Sequence, residues 1–408
     1  MIILDGPLLL DCEDVAWFRD QPEAARGAAA ALGRRIGLGE HRTAQLVLAV
    51  AELATNVTKH TTDGSILLRV LRNETVAGVE VLVIDGGPGV ADVTAALRDG
   101  VLTIGTLGIG LGAVQRLADS FDIHSVQGLG TVQLARFWPR PLPASVGSEA
   151  VVGGITRAIG GEDVCGDAWT ARVDTDEETV RVPAAKADLR QSGPGASPDW
   201  SAMTATGTGH HATRHAPPEP QRTPRPGAGG RSELVRSAAA GPGRGVLVMS
   251  CDGLGHGPMA ARASQAAVQA FRTGAGRTPE QVIEEIHRAL RGTRGAAVAV
   301  ARLEPGGRLL FCGIGNIAAC VVTADSRANL LSHPGIVGSQ MRQLRTYEQQ
   351  VGAGGTLVMH SDGLSERWRP GDLVTLLPHP PAVIAAGLLR HAGTRRDDAS
   401  VVIAKGAW

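Results

Sequence analysis

The stretch "VLVMSCDGLGHG", residues 246–257, returns with variation as "TLVMHSDGLSER", residues 356–367. Each copy is a short apolar run ending on Asp-Gly-Leu, so each reads as a buried strand closed by a carboxylate. Asp-Gly has a bland explanation, because both residues tolerate the positive φ of a type I′ hairpin turn. The alternative is that Asp252 and Asp362 converge on one cation. Two further acidic points stand beside strand-like runs: Asp167 before "AWTARV", and the Asp397-Asp398 pair before "ASVVIAKG". Four separated carboxylates, each at a strand end, are poorly explained as four independent turns. Oxygen donors without His or Cys select Mg²⁺ or Mn²⁺ over zinc. Several carboxylates around such ions describe a two-metal site that activates water for attack on a phosphoester.

The chain has 408 residues, enough for two domains. With 43% hydrophobic residues it can build real cores, and Lys+Arg and Asp+Glu balance at 40 each, which gives no electrostatic case for nucleic acid or a membrane surface. The opening "MIILDGPLLLDCEDVAWFRD" carries acids before its apolar run and is not read as a signal peptide, and no stretch approaches membrane-spanning length. Five scattered cysteines without CxxC spacing read as thiols in a reducing cytoplasm. Residues 184–245 are rich in Pro, Gly, Ser, Thr and His and lack apolar periodicity, so a disordered insertion is expected there. The prolines of "WPRPLPAS" mark a linker. The expected division is 1–138, a linker at 139–150, and 151–408 interrupted by the insertion. The strand-like piece before the insertion is too short to fold alone and is expected to pair with strands beyond it.

In the first part, residues 41–60 ("HRTAQLVLAVAELATNVTKH") have helical periodicity, with Leu46, Val50, Leu53 and Val57 on one face. Glu52, Asn56 and His60 form a polar stripe at spacings of four beside it. A strand, "VEVLVIDGGPGV", then runs into a glycine-rich turn with Asp85, Gly87 and Gly89. The run "TIGTLGIGLGAVQRLADSF" places Gly105, Gly108, Gly110 and Gly112 ahead of a helix, where backbone N–H groups can approach phosphates closely. The order of the three pieces is the signal; a lone glycine loop would be weak.

On these residues the first part resembles the ATPase superfamily of gyrase, the large heat-shock chaperones and the sensor histidine kinases (GHKL type). It is most similar to the bacterial anti-sigma factors and stressosome switch kinases (SpoIIAB-, RsbW- and RsbT-like). "ELATNVTKH" matches the E-x-x-x-N box, "DGGPG" the adenine box, and "GIGLG…RL" with "GLGT", which ends on Thr131, the phosphate and closing boxes. The resemblance implies an α/β sandwich, one mixed sheet with helices on one side, binding ATP with Mg²⁺. It implies that Asn56 supplies an oxygen to the metal, Glu52 is general base toward a serine hydroxyl, and Asp85 accepts from the adenine amine. The glycines and Thr131 complete the nucleotide site.

The second part resembles the metal-dependent serine/threonine phosphatases (PPM type), in their SpoIIE- and RsbX-like branch. The matching stretches are "CGDAW", "DGLGHGPMAA", "GIGN", "GIVG", "HSDGL" and "RRDDAS". The resemblance implies an αββα sandwich and a two-ion Mn²⁺ or Mg²⁺ site formed by Asp167, Asp252, the Gly253 carbonyl, Asp362 and Asp397. Asp252 and Asp362 stand nearest the chemistry. Spacing alone does not choose between Asp397 and Asp398, whereas the family pattern favours Asp397. The expected whole is a cytoplasmic partner-switching regulator with phosphatase and serine-kinase activities. Its implied partner is a STAS-type antagonist or stressosome-type scaffold protein carrying the phosphorylated residue, with a sigma factor as a further partner and an oligomer compatible. The rival reading makes the ATP half a non-catalytic sensor or sequestering module.

Overall fold

The computed structural model describes residues 7–61, 63–98, 110–160, 162–175, 185–186, 244–341, 343–352 and 354–406. Most of the 184–245 insertion, together with Gly105 and Gly108, lies outside the described residues.

The first part builds β1 (Asp11–Phe18), α1 (Ala25–Arg35), α2 (Glu40–His60), β2 (Gly64–Arg72), β3 (Ala77–Asp85), α3 (Val93–Leu97), α4 (Gly110–Leu117), β4 (Ser120–Val126) and β5 (Gly130–Phe137). Helix α2 follows from its sequence. Leu46, Val50, Leu53 and Val57 recur at alternating spacings of four and three, and all are buried. Glu40 opens the helix and Lys59 and His60 close it, which suits the helix dipole. The sheet order is β1-β2-β3-β5-β4. Every pair in it is antiparallel, which corrects the expectation of a mixed sheet. One face packs on α1 and α2 through residues such as Val70, Val81 and Val83.

The second part contributes β6 (Val152–Arg157), β7 (Asp167–Thr175), β8 (Ala185–Lys186), β9 (Arg244–Gly253), α5 (Pro258–Thr273), α6 (Pro279–Ala289), β10 (Ala296–Leu303) and β11 (Arg308–Ile314). Beyond these come β12 (Ala318–Val322), β13 (Arg327–Leu330), β14 (Ser332–His333), β15 (Tyr347–Gln350), β16 (Thr356–His360), α7 (Pro370–Leu373), α8 (Pro381–Ala392) and β17 (Ala399–Lys405). They form one sheet of order β7-β9-β10-β11-β15-β8, with β14 beside β11, and a second of order β13-β12-β16-β17-β6. Pairing is antiparallel except at the short β14 and β8. As expected, strands before the insertion pair with strands after it: β7 with β9 and β6 with β17.

The period of two in β9 divides its residues between layers. Val246 and Val248 face the second sheet, while Leu247, Met249 and Cys251 face α5 and α6. The outer face of the second sheet is covered by α8, giving the αββα sandwich. Helix α8 buries ten of its twelve residues, so it is apolar nearly all round and needs cover on both sides. Its second side packs on the open face of the first sheet, where Leu67, Leu82, Ile84, Val132 and Leu134 share one core with Ile384, Leu388 and Val401. Six layers therefore stack in one compact unit.

Polar contacts lock the same seam. Buried Arg69 pairs with Asp14 at 2.7 Å and Glu80 at 3.0 Å, and also donates to the Gly154 carbonyl at 2.7 Å. Asp14 accepts from the Thr156 hydroxyl at 2.6 Å, and the Trp17 indole donates to the Thr156 carbonyl at 3.1 Å. Residues 139–150 run between the halves with Val146 and Ala150 packed against Trp138.

A shared core predicts shared unfolding. Calorimetry of the whole chain should show one dominant cooperative transition, and Ile384→Ala should lower stability by about 2–5 kcal/mol for both halves together. A fragment ending at residue 138 lacks α8, leaves that sheet face uncovered, and should self-associate in sedimentation experiments.

Candidate functional site

Asp167 opens β7 and stands directly opposite Asp252 on β9. Two carboxylates in register on adjacent strands repel one another. Both oxygens of Asp167 are buried and, among the described residues, have no partner in good hydrogen-bond geometry, although the Ser361 and Ser400 hydroxyls are near enough to pull on the carboxylate. Burial, then the charges of Asp398 and Asp362, raise the Asp167 carboxyl to about 7, against the pull of those two hydroxyls. Burial and the charges of Asp167, Asp362 and Asp397 raise Asp252 well above the usual carboxylate range. Asp362 follows β16, accepts from the Asn316 amide at 2.6 Å, and is raised by burial and by Asp397. Four sequence-predicted aspartates therefore share one electrostatic neighbourhood.

The Asp-Gly turns differ from the hairpin reading. Neither Gly253 nor Gly363 has a positive φ. What each glycine provides is room. A Cβ on Gly253 would lie 2.4 Å from the Ala260 carbonyl oxygen of α5, and one on Gly363 would lie 2.0 Å from the Asp398 carbonyl oxygen. Glycine lets the backbone beside each aspartate run against another element, and this brings Asp252 and Asp362 together.

The Asp397-Asp398 pair separates by hydrogen bonding. Asp398 is buried, and its two oxygens accept from the backbone N–H groups of Ile159 and Gly166, each at 2.7 Å. The Gly166 carbonyl in turn accepts from Gly253 N–H at 3.1 Å and from the Ser264 hydroxyl. Asp398 thus pins the loop that carries Asp167, while Asp397 is the member whose charge reaches Asp252 and Asp362. Nothing in the sequence other than the family pattern distinguished them.

Among the described residues, no three His, Cys, Asp or Glu side chains are already gathered as a closed metal cage. The donor set still fits a hydrated hard cation. Mg²⁺ keeps several waters and needs only one or two direct carboxylates, and the unpartnered Asp167 oxygens opposite Asp252 leave a like-charge pair that a dication would offset.

The second centre is a cavity of about 350 Å³ in the first part, lined by Glu52, Asn56, Asp85, Gly89, Gly110 and Thr131 among others. Glu52 accepts from the Gly110 N–H at 3.1 Å, at the start of α4. Asp85 is buried at the end of β3, opposite Thr131 on β5, and accepts from the Gly87 N–H at 2.9 Å. Burial raises its carboxyl, countered by that N–H, Arg390 and Thr131. Gly112 lies in α4, where a Cβ would come 2.5 Å from the Leu97 carbonyl oxygen. Lys59 and Gln133 also line this cavity, and Asn316 touches Asp362 in the other centre. Lys59 sits one position off the helical stripe, so spacing did not single it out; Asn316 was visible only inside the "GIGN" stretch.

Residues 19–136 match the histidine kinase-like ATPase domain family, and residues 242–406 match the stage II sporulation protein E (SpoIIE) family. The serine/threonine-protein kinase RsbT of Bacillus subtilis (strain 168) is 34% identical over 117 residues, spanning 29% of this chain and 88% of that protein. A solved structure of the phosphatase domain and a regulatory fragment of Bacillus subtilis SpoIIE is 14% identical with a TM-score of 0.38, covering 81% of this chain and 80% of that one. A crystal structure of RsbX with magnesium is 15% identical with a TM-score of 0.40, covering 62% of this chain and 92% of that one. The chain belongs to the histidine kinase-like ATPase family through its first part and carries a SpoIIE-type PPM phosphatase domain in its second. A kinase-like ATPase domain joined to such a phosphatase domain fits a partner-switching regulator, and these domains imply metal ions and ATP. No helix among the described residues is long and apolar enough to cross a membrane.

The two members of the acidic pair should respond differently to substitution. Asp398→Ala orphans the buried Gly166 N–H and the half-buried Ile159 N–H, and the first alone should cost about 1–3 kcal/mol in urea unfolding. Asp397→Asn should leave the urea midpoint nearly unchanged. A second expectation concerns pH. Asp167 is raised from 3.8 to about 7, so the unfolded chain binds fewer protons than the fold between those values. Its contribution is complete below about pH 4 and is lost as pH rises through 7, so the metal-free protein should melt progressively lower over that range. Added Mn²⁺ should restore most of the lost melting temperature in wild type and little in Asp167→Asn.

Proposed function

We propose that this chain is a bifunctional partner-switching regulator. Its second part removes phosphate from a phosphoserine or phosphothreonine of a STAS-type antagonist or scaffold protein, with Mn²⁺ or Mg²⁺. Its first part transfers phosphate from ATP to a serine of the same kind of partner. The observation that carries the phosphatase reading is the in-register pair Asp167 and Asp252 with unpartnered buried oxygens, beside Asp362 and Asp397. Asp167, Asp252, Asp362, Asp397 and the Gly253 carbonyl would hold the ions, which supply an activated water for phosphoester attack when bound. The chain's own part is to keep these groups fixed: Asp398 and Ser264 hold the Gly166 backbone, and Asn316 orients Asp362.

In the ATP half, Glu52 would take the serine proton, Asn56 would hold Mg²⁺, and Asp85 would accept from the adenine amine, with Gly87, Gly89, Gly110, Gly112 and Thr131 toward the nucleotide; Gly105 and Gly108 fall outside the described residues. The free cysteines Cys12, Cys165, Cys251, Cys312 and Cys320 suit a reducing cytoplasm. A second reading has its own support. Arg390 of α8 donates to the Asp85 carbonyl at 3.5 Å, so the adenine strand touches the phosphatase half directly. In that reading, ATP occupancy tunes dephosphorylation and no phosphate is transferred.

The two readings part in one experiment. In an Asp362→Asn background, which should be phosphatase-dead, γ-labelled ATP should label a STAS partner. Glu52→Gln should keep ATP binding yet reduce labelling by about 10²-fold or more, the usual scale of a lost general base. Absence of label on every bound partner while ATP still binds would establish the sensor reading in its place.

A further inference from the structure

We propose that the seam between the two halves contains an anion site, formed by Arg19, Arg157, Arg390 and Arg395, whose ligand is a phosphate or phosphomonoester dianion. The four arginines line a cavity of about 570 Å³ together with apolar Trp17 and Leu389. They come from four places: just after β1, the end of β6, helix α8, and the loop before Asp397. No sequence motif joins them.

The case rests first on Arg157. Its Nη2 is buried and has no hydrogen-bond partner among the described residues. Burial, with the charges of Arg19 and Arg395, lowers its guanidinium to about 10, against the opposing pull of Asp63. A guanidinium does not shed its proton in a protein, so three like charges are held together and Asp63 offsets only part of their repulsion. Asp20, Asp63 and Asp85 line the same cavity and offset part of the charge of its four arginines. Asp63 is engaged by Arg395 through both oxygens at 2.6 Å. Asp85 is engaged by Gly87 N–H, and Asp20 lies beside Arg19. Arg19 makes a 3.4 Å contact to the Ala158 carbonyl and lies 5.4 Å from the centre of the Trp17 ring.

A separate observation concerns Arg395. It is the one non-glycine residue with a positive φ, 58°, among the described residues. Side-chain-bearing residues adopt that conformation at some cost, and such positions cluster at ligand clamps. A tetrahedral dianion matches the arrangement best, because its oxygens can each accept from a different planar guanidinium. The apolar walls leave space for the carrier of the phosphoryl group. Bound there, the anion would tie the first half to the loop that leads into Asp397. This inference holds whether or not the ATP half transfers phosphate.

The test uses the full chain without divalent cations, so that the acidic centre does not itself recruit phosphate. Isothermal titration should show saturable binding of inorganic phosphate, of a phosphoserine peptide, or of both, at constant ionic strength. Tighter binding of the peptide by about tenfold identifies a phosphorylated side chain as the ligand, and equal or tighter binding of phosphate identifies the free ion. Arg157→Gln should weaken binding about tenfold or more. It should also raise the melting temperature of the ligand-free protein, because it relieves repulsion, whereas loss of a merely structural arginine would lower it. Arg19→Gln, at a more accessible position, should weaken binding as well and carries the test if Arg157→Gln does not fold. Absence of saturable binding by either probe, or affinities unchanged in both variants, would overturn the proposal.

Discussion

The apolar contact of α8 with two sheets is the constraint on which the arrangement of the molecule depends. A helix whose surface is nearly all Val, Ile, Leu and Ala has no face to turn to water. Each fully buried side chain of this kind contributes about 1.5–3 kcal/mol, and α8 presents Val383, Ile384, Leu388 and Leu389 to its surroundings. The first sheet covers only one face with its own helices, so the other needs a partner. Here α8 supplies it. The buried Arg69 network then fixes orientation where apolar packing alone would permit sliding, since its donors reach Glu80 on its own sheet and the Gly154 carbonyl across the seam.

Electrostatics in the acidic centre work by contrast between neighbours. Asp397 and Asp398 are adjacent in sequence, yet one is consumed by two backbone N–H groups and the other faces Asp252 and Asp362. Burial and repulsion make Asp167 and Asp252 poor anions in the metal-free chain. That same destabilisation is what gives a divalent cation its advantage there, because only a positive charge relieves both terms together. The protein supports the cost locally through the Asp398, Gly166 and Ser264 bonds, which hold the Asp167 loop against the repulsion.

Much of this was legible in the sequence for a physical reason. Helical spacing of four placed Glu52 and Asn56 on one line of α2, and both line the same cavity. Strand-end positions of Asp167, Asp252 and Asp362 predicted convergence, and register brings the first two face to face. Four things were not legible. A strand's own periodicity says nothing of the direction of its neighbour, so the first sheet was expected to be mixed and is antiparallel. The sequence of α8 reads only as a buried helix, because burial on two sides by two different sheets leaves no distinct pattern. Asp-Gly suggested a turn, whereas its glycine is needed for close approach to backbone elsewhere in the chain. The arginines of the seam were invisible for a related reason: Arg19 and Arg157 meet only once β1 and β6 are docked.

The position of α8 along the chain also has a consequence for how the protein is made. The first sheet is complete at Phe137, but its cover begins at Pro381, more than two hundred residues later. Ribosomes add about 5–20 residues per second, so the nascent first half waits on the order of ten to fifty seconds with Leu67, Leu82, Ile84, Val132 and Leu134 facing water. During that interval it resembles an unpaired subunit of a dimer whose partner has yet to be translated. Fusion into one polypeptide guarantees the partner's arrival at equal stoichiometry, and leaves the early half dependent on whatever shields apolar surface in the meantime.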